Sequence, residues 1–167
     1  MKGRGVPDPL PVSVRMARAD DADIIAINNL AMALETEGRR LDPVKGRLGV
    51  AALLSDRSLG FYLVAESEGR VVGQCMVTYE WSDWRNGTYW WVQSVYVRPG
   101  ARRRGVLSRL FESLMAQARK TEGVVGVRLY VDGSNASAKE AYSRLGLVHS
   151  HYEMWEADFA ATGGKKD

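Results

Sequence analysis

Read for its hydrophobic periodicity, the chain moves between stretches of period two and stretches of period near 3.6. Val12, Val14 and Met16 alternate with polar residues and predict a first strand. Ile24, Ile27 and Leu30 then share one helical face behind Asp20 or Asp21 as cap, and that helix ends near Gly38. Asp42 followed by Pro43 repeats the start signal, cap then first-turn proline, for a helix carrying Val50, Leu53 and Leu54 towards Asp56. Residues 61–66 (FYLVAE) and 70–80 (RVVGQCMVTYE) alternate across the tight turn SEG and predict an antiparallel hairpin. The loop WSDWRNG, with Asn86-Gly87, returns the chain into a third strand, so the three form a meander.

That third strand opens the stretch on which the rest is arranged, from Tyr89 to Arg119. Its apolar, β-branched and aromatic run tolerates so little polar alternation that both faces must be covered, and it stops at Pro99. Beyond Gly105, the residues Leu107, Leu110, Phe111, Leu114 and Ala118 recur at helical spacing and predict an amphipathic helix lying back on the sheet. Residues 125–131 read as another buried strand, and a short helix follows that stops at Gly146. A last strand is expected at about 150–156. The order is strand, two helices, three strands, helix, strand, helix, strand, a mixed α/β (α+β) sheet. Residues 1–11, rich in proline and glycine, are expected to form a loose arm, residues 12–157 a single domain, and residues 158–167 a frayed tail.

Composition narrows the class without altering this outline. A chain of 167 residues with 46% hydrophobic and 26% charged residues suits one globular domain with a sizeable core. Cys75 is the only cysteine, which excludes an internal disulfide and a thiolate metal cluster, and the expected compartment is the reducing cytoplasm. His149 and His151 have no third ligand at metal spacing, so no metal is expected. The sequence has neither a signal-like apolar region at its start nor an uncharged apolar run of about 18 residues, so no membrane partner is expected. A net charge of +3 is too small for bulk nucleic-acid binding, and the run Arg102 to Arg104 carries no interleaved aromatics. The run matters as a local field.

Strand, basic glycine-containing turn and helix together aim unpaired backbone N–H groups and a helix N-terminus at one point, beside Arg102, Arg103 and Arg104. Such a joint is a seat for phosphate. Neither a P-loop pattern nor a dinucleotide fingerprint is present. Val97-Arg98-Pro99 followed by Arg102-x-x-Gly105-x-Leu107 instead resembles the acetyl-CoA signature [Q/R]-x-x-G-x-[G/A] of the GCN5-related N-acetyltransferase (GNAT) superfamily, with leucine in the last, usually small, place. Asn135, Ala138, Tyr142 and Gly146 match that family's second motif, with Leu147 in place of phenylalanine. The matches cover roughly residues 88–148.

The resemblance implies a GNAT-like, mostly antiparallel sheet of six to seven strands with about four helices, splayed at its central strands. It implies acetyl-CoA as acyl donor, a primary amine on a small molecule or peptide as acceptor, and direct transfer in a ternary complex, by a monomer or homodimer. Cofactor-binding residues are then Val95, Tyr96 and Val97 on the splayed strand, and Arg102, Arg103, Arg104, Gly105, Val106, Leu107 and Ser108 in the turn and first helical turn. Asn135 and Tyr142 complete that set. Tyr142 is implied as general acid to the departing thiolate, since a phenol of pKa about 10 suits that role. Glu80 at a strand end is the candidate base, against a bland reading as a solvated strand end. Leu107 either faces the sheet with Leu110 and Leu114 or crowds the phosphates. The rival reading is a non-catalytic CoA-sensing or peptide-binding module on the same fold.

Overall fold

The structure, a computed structural model, describes residues 8–159. Within it, one compact unit runs through Asp132 and a second begins at Gly133. The first unit holds five strands: β1 (Ser13–Met16), β2 (Phe61–Ser67), β3 (Arg70–Ser82), β4 (Gly87–Val97) and β5 (Val124–Leu129). They lie in that order in one sheet. Pairing is antiparallel from β1 to β4 and parallel between β4 and β5, which makes the sheet mixed and mostly antiparallel as expected. Its helices are α1 (Ala22–Glu37), α2 (Pro43–Ser55) and α3 (Val106–Lys120), and the second unit contains α4 (Ala136–Arg144).

Two sequence expectations are corrected. The strand expected at 150–156 does not form, so the described residues hold five strands and not six or seven. Alternation alone leaves a strand's N–H and C=O groups to water; without a sheet edge they stay there, and Tyr152 and Trp155 are 65% and 88% exposed. On α1 the expected face is misplaced: Ile27 is 54% exposed, while Ala22, Ile25, Ala26, Asn28 and Ala33 turn inward. Apolar residues surround that helix, so spacing could not choose among them; buried side-chain amides did. Residues 8–10 meet the β4–α3 turn through two hydrogen bonds. The Leu10 N–H donates to the Arg104 carbonyl at 2.9 Å, and Arg104 Nε donates to the Asp8 carbonyl at 2.9 Å. Residues 1–7 of the expected arm and 160–167 of the expected tail lie outside the described residues.

The punctuation residues do what their chemistry dictates. Asp42 accepts from the Val44 and Lys45 N–H groups with Pro43 in the first turn, and Gly38 closes α1 in the left-handed region at φ 64°. Glu68 and Gly69, at φ 49° and 72°, make the tight hairpin turn.

Helix α3 covers one face of the sheet through Val106, Leu110, Phe111, Leu114 and Ala118, all at most 5% exposed. Gly73 of β3 sets how close it comes, because a Cβ there would stand 2.9 Å from Val106 Cγ1. On the other face Ile25, Ala26, Val50 and Leu53 pack with Tyr62, Val64 and Val71. The α1 contact also carries buried amides: Asn28 Nδ2 donates to Gln74 Oε1 at 2.9 Å, and Gln74 Nε2 donates to Asn29 Oδ1 at 2.8 Å. Neither amide can lose its partner cheaply, since an orphaned buried polar group costs about 1–3 kcal/mol.

At the edge of this layer Arg15 of β1 bridges Asp21 at 2.7 Å and Glu66 at 2.8 Å. The Arg15 guanidinium and the Arg18 N–H together hold the Asp21 carboxyl below the usual carboxylate range. A depressed pKa contributes stability above the unfolded value of about 3.9 and loses it as pH falls through the folded value. The urea midpoint should therefore drop from about pH 5 to pH 3, and Asp21→Asn should lower it at pH 7 while removing part of that drop. An equally steep pH dependence in the variant would discard the ion pair as its source.

Candidate functional site

The turn between β4 and α3 supplies a set of aimed donors. Gly105 is the helix cap at φ 82°, a conformation that disfavours a side chain, and it offers no cap hydrogen bond of its own. Arg109 is the first α3 residue whose N–H returns to the cap carbonyl, at 3.1 Å, so the N–H groups of Val106, Leu107 and Ser108 precede the helical ladder. They point out of the helix end together with its positive dipole. A Cβ built on Gly105 meets nothing within 4 Å, which leaves space for a ligand at the donors. A groove of about 700 Å³ lined in part by Arg104, Gly105, Ser108 and Arg109 opens alongside.

The three arginines divide in their employment. Arg102 Nε donates to the Val97 carbonyl at 2.7 Å, and its Nη2 reaches Glu35 Oε2 at 2.5 Å. Arg104 ties down residue 8, as above. Arg103 is exposed and held at φ 62°, unusual for a residue with a side chain. Leu107 is only partly buried, and the inward position falls to Val106, which stands four residues before Leu110 in the row continued by Leu114 and Ala118. The leucine thus flanks the packed row.

Leading into the turn, β4 is irregular in the way the splay requires. Its ladder with β5 ends at Val92 opposite Leu129, while pairing with β3 continues to Val97 opposite Gly73. Among the described residues, β4 from Gln93 to Val97 therefore has no ladder partner on its β5 side. Gln74 faces Tyr96 and Met76 faces Gln93, so Cys75 alone opposes both Ser94 and Val95. This is a β-bulge, with Ser94 left-handed at φ 48°. The Tyr62 hydroxyl, close to Ser94, accepts from Asn29 Nδ2 at 3.2 Å, which sets the bulge beside α1. Burial pushes the Cys75 thiol up to about 12, so it is inert.

Sequence reasoning missed Ser94, Asn28, Asn29 and Gln74. The one available signal was the pair of polar residues Gln93-Ser94 inside an apolar strand.

Glu80 stands opposite Tyr89, roughly 25 Å along the strand from the turn at about 3.3 Å per residue. Its carboxylate takes Arg128 Nη1 at 2.6 Å, and the Arg128 guanidinium lies 3.7 Å from the centre of the Tyr89 ring. Gln93 Nε2 donates to Thr78 Oγ1 at 2.8 Å, and Trp91 packs near Tyr130. Register places Glu80, Thr78, Trp91 and Gln93 on the sheet face of Gln74, where α1 lies. Of the tryptophans, Trp90 is core at 6% exposure, whereas Trp81 and Trp84 are solvent-facing. In the second unit Asn135 caps α4 by accepting the Ala138 N–H at 3.0 Å, and Gly146 ends it at φ 85°. Tyr142 shares a partly buried stripe with Ala138, Ala141 and Leu145.

Gly126 makes the Tyr89 stack possible, because a Cβ there would stand 2.6 Å from the ring. Gly126→Ala is expected to cost about 1–3 kcal/mol as an overpacked site and to weaken the near-ultraviolet circular dichroism of the aromatic face. A variant with unchanged urea midpoint and spectrum would show that the ring moves freely.

The model of the acetyltransferase (GNAT) family matches residues 27–147. A possible acetyltransferase from Clostridium difficile 630 is similar in structure at a TM-score of 0.83 and 45% identity, over 88% of this chain and 97% of that one. Mycothiol acetyltransferase from Nocardia farcinica is 26% identical over 95% of this chain and 50% of its own length. That of Gordonia bronchialis is 30% identical over 85% of this chain and 44% of its own. The chain thus spans about half the length of the curated relatives it matches. With the family model covering most of the chain and a structural relative 45% identical to it, the chain belongs to the GNAT acetyltransferase family.

Proposed function

We propose that the chain is an N-acetyltransferase that passes the acetyl group of acetyl-CoA directly to a primary amine held in the same complex. The observation that carries this reading is the joint of β4 and α3: three aimed N–H groups next to a strand edge left open from Gln93 to Val97. The residues fit the cofactor in two ways. The N–H groups of Val106, Leu107 and Ser108 suit the pyrophosphate, with Arg103 adding exposed positive charge. The open edge at Val95 to Val97 suits an amide-bearing arm that pairs like an added strand.

Acetyl-CoA when bound supplies the activated acyl group as a thioester. The chain then has to polarise the acyl carbonyl, place the amine and manage two protons. Unladdered N–H groups of β4 provide the first, since donors preset in a protein site act more strongly than in water. Glu80 is the proposed acceptor of the amine proton through water, with Arg128 fixing its carboxylate. Tyr142, the tyrosine that the resemblance to the family's second motif implies, is the proposed donor of a phenolic proton to the departing sulfur.

Two experiments test this. Acetyl-CoA is expected to raise the melting temperature, as a ligand of the native state alone must. Gly105→Ala and Gly105→Glu both carry the left-handed strain, about 1–2 kcal/mol, but only the second puts a carboxylate at the seat. The glutamate variant should therefore lose the shift beyond any loss in the alanine variant, and equal shifts in both would reject the turn. For the chemistry, Tyr142→Phe keeps the ring and removes the donor. Its single-turnover rate across an amine panel should fall about 10² to 10⁴-fold, while the melting temperature stays within about 2 °C. A wild-type rate in that variant would leave Tyr142 a packing residue.

A further inference from the structure

The turn that aims the three N–H groups has no sheet ladder to fix it, and two of its residues, Arg103 and Gly105, are left-handed. Something else must hold it. Glu35, in the last turn of α1, accepts from the Tyr96 hydroxyl with Oε1 at 2.7 Å and from Arg102 Nη2 with Oε2 at 2.5 Å. Arg102 Nε closes the same cluster on the Val97 carbonyl at 2.7 Å, and its guanidinium lies 5.3 Å from the centre of the Tyr96 ring. One carboxylate thus joins a helix, the open end of β4 and the turn. Tyr96 and Arg102 hold that carboxyl below its ordinary range, so it is charged at neutral pH.

We propose that Glu35 is a positioning residue of the cofactor turn: it holds Arg102 back against β4 and α1 so that the Val106, Leu107 and Ser108 N–H groups face the phosphates. The proposal rests on the acetyl-CoA reading above. It differs from the obvious alternative, in which Arg102 itself grips the phosphates and Glu35 merely competes for it. The two have opposite signs. If Glu35 positions the turn, removing its charge weakens cofactor binding; if it competes, removing it frees Arg102 and tightens binding.

The test is calorimetric titration of the full chain with CoA, for wild type, Glu35→Gln, Arg102→Met and the double variant. Each single variant is expected to raise Kd about 5- to 20-fold, and the double variant no further than the weaker-binding single one, because both break one latch. The amide resonances of Val106, Leu107 and Ser108 should shift less on CoA addition in Glu35→Gln than in wild type, with the urea midpoint nearly unchanged, since a half-exposed pair adds little global stability. Should Arg102→Met fail to fold, Tyr96→Phe replaces it, removing the hydroxyl that orients Glu35, and is expected to raise Kd by a smaller factor. Tighter binding in Glu35→Gln, an unchanged Kd, or strictly additive losses overturn the proposal while CoA binding by wild type stands. Failure of wild type to bind CoA overturns the acetyl-CoA reading and this one together.

Discussion

The structure depends on β4 keeping one neighbour while losing the other. Pairing with β3 runs to Val97, and pairing with β5 stops at Val92. A strand in mid-sheet that gives up half its ladder must be held by other means, because its freed N–H and C=O groups would otherwise collapse onto the nearest edge. Two devices hold it. The bulge at Ser94 turns the strand locally beside Tyr62, whose hydroxyl Asn29 of α1 holds. Beneath it the amides of Asn28 and Gln74 lock α1 to β3. Both devices sit on the α1 face, leaving the α3 face to ordinary apolar packing.

That division explains the different character of the two layers. Helix α3 buries a clean stripe of Val106, Leu110, Phe111, Leu114 and Ala118, and Gly73 lets it approach until Val106 nearly touches the strand backbone. Close packing there fixes the helix N-terminus in space and with it the direction of its free donors. Helix α1 is anchored by directional contacts instead. Hydrogen bonds between buried amides specify a register that apolar surfaces alone leave degenerate. A polar seam next to a splayed strand is costly only when partners are missing, and among the described residues no buried side-chain nitrogen or oxygen lacks one.

Charge around the turn follows the same logic of positioning. A run of three arginines reads as a uniform field, yet Arg102 is turned back to Glu35 and Arg104 to the carbonyl of Asp8. Backbone N–H groups, which cannot swing away, remain as the directed donors. At the far end of β4 the Glu80–Arg128 pair stacked on Tyr89 gives the α1 face a second fixed polar centre, separated from the first by the open edge.

The order of elements, the meander, the caps at Asp42 and Gly38 and the turn at Gly105 were legible in the sequence, because each rests on local rules: period, proline, glycine and cap chemistry; the family motifs were legible only by resemblance. Glycine at Gly105 could be read as a left-handed cap; the same conformation at Arg103 and Ser94 could not, since nothing local favours it there. The inward face of α1 was illegible because Ile24, Ile25, Ile27 and Leu30 surround the helix, and Asn28 decided the matter only by meeting Gln74 across 46 residues. Likewise Glu35 meets Arg102 across 67 residues. Residues 150–156 alternate like a strand and form none, because a strand exists only where an edge receives it. Local chemistry thus determined which segments are helix, strand and turn, and tertiary contact decided which polar groups found each other.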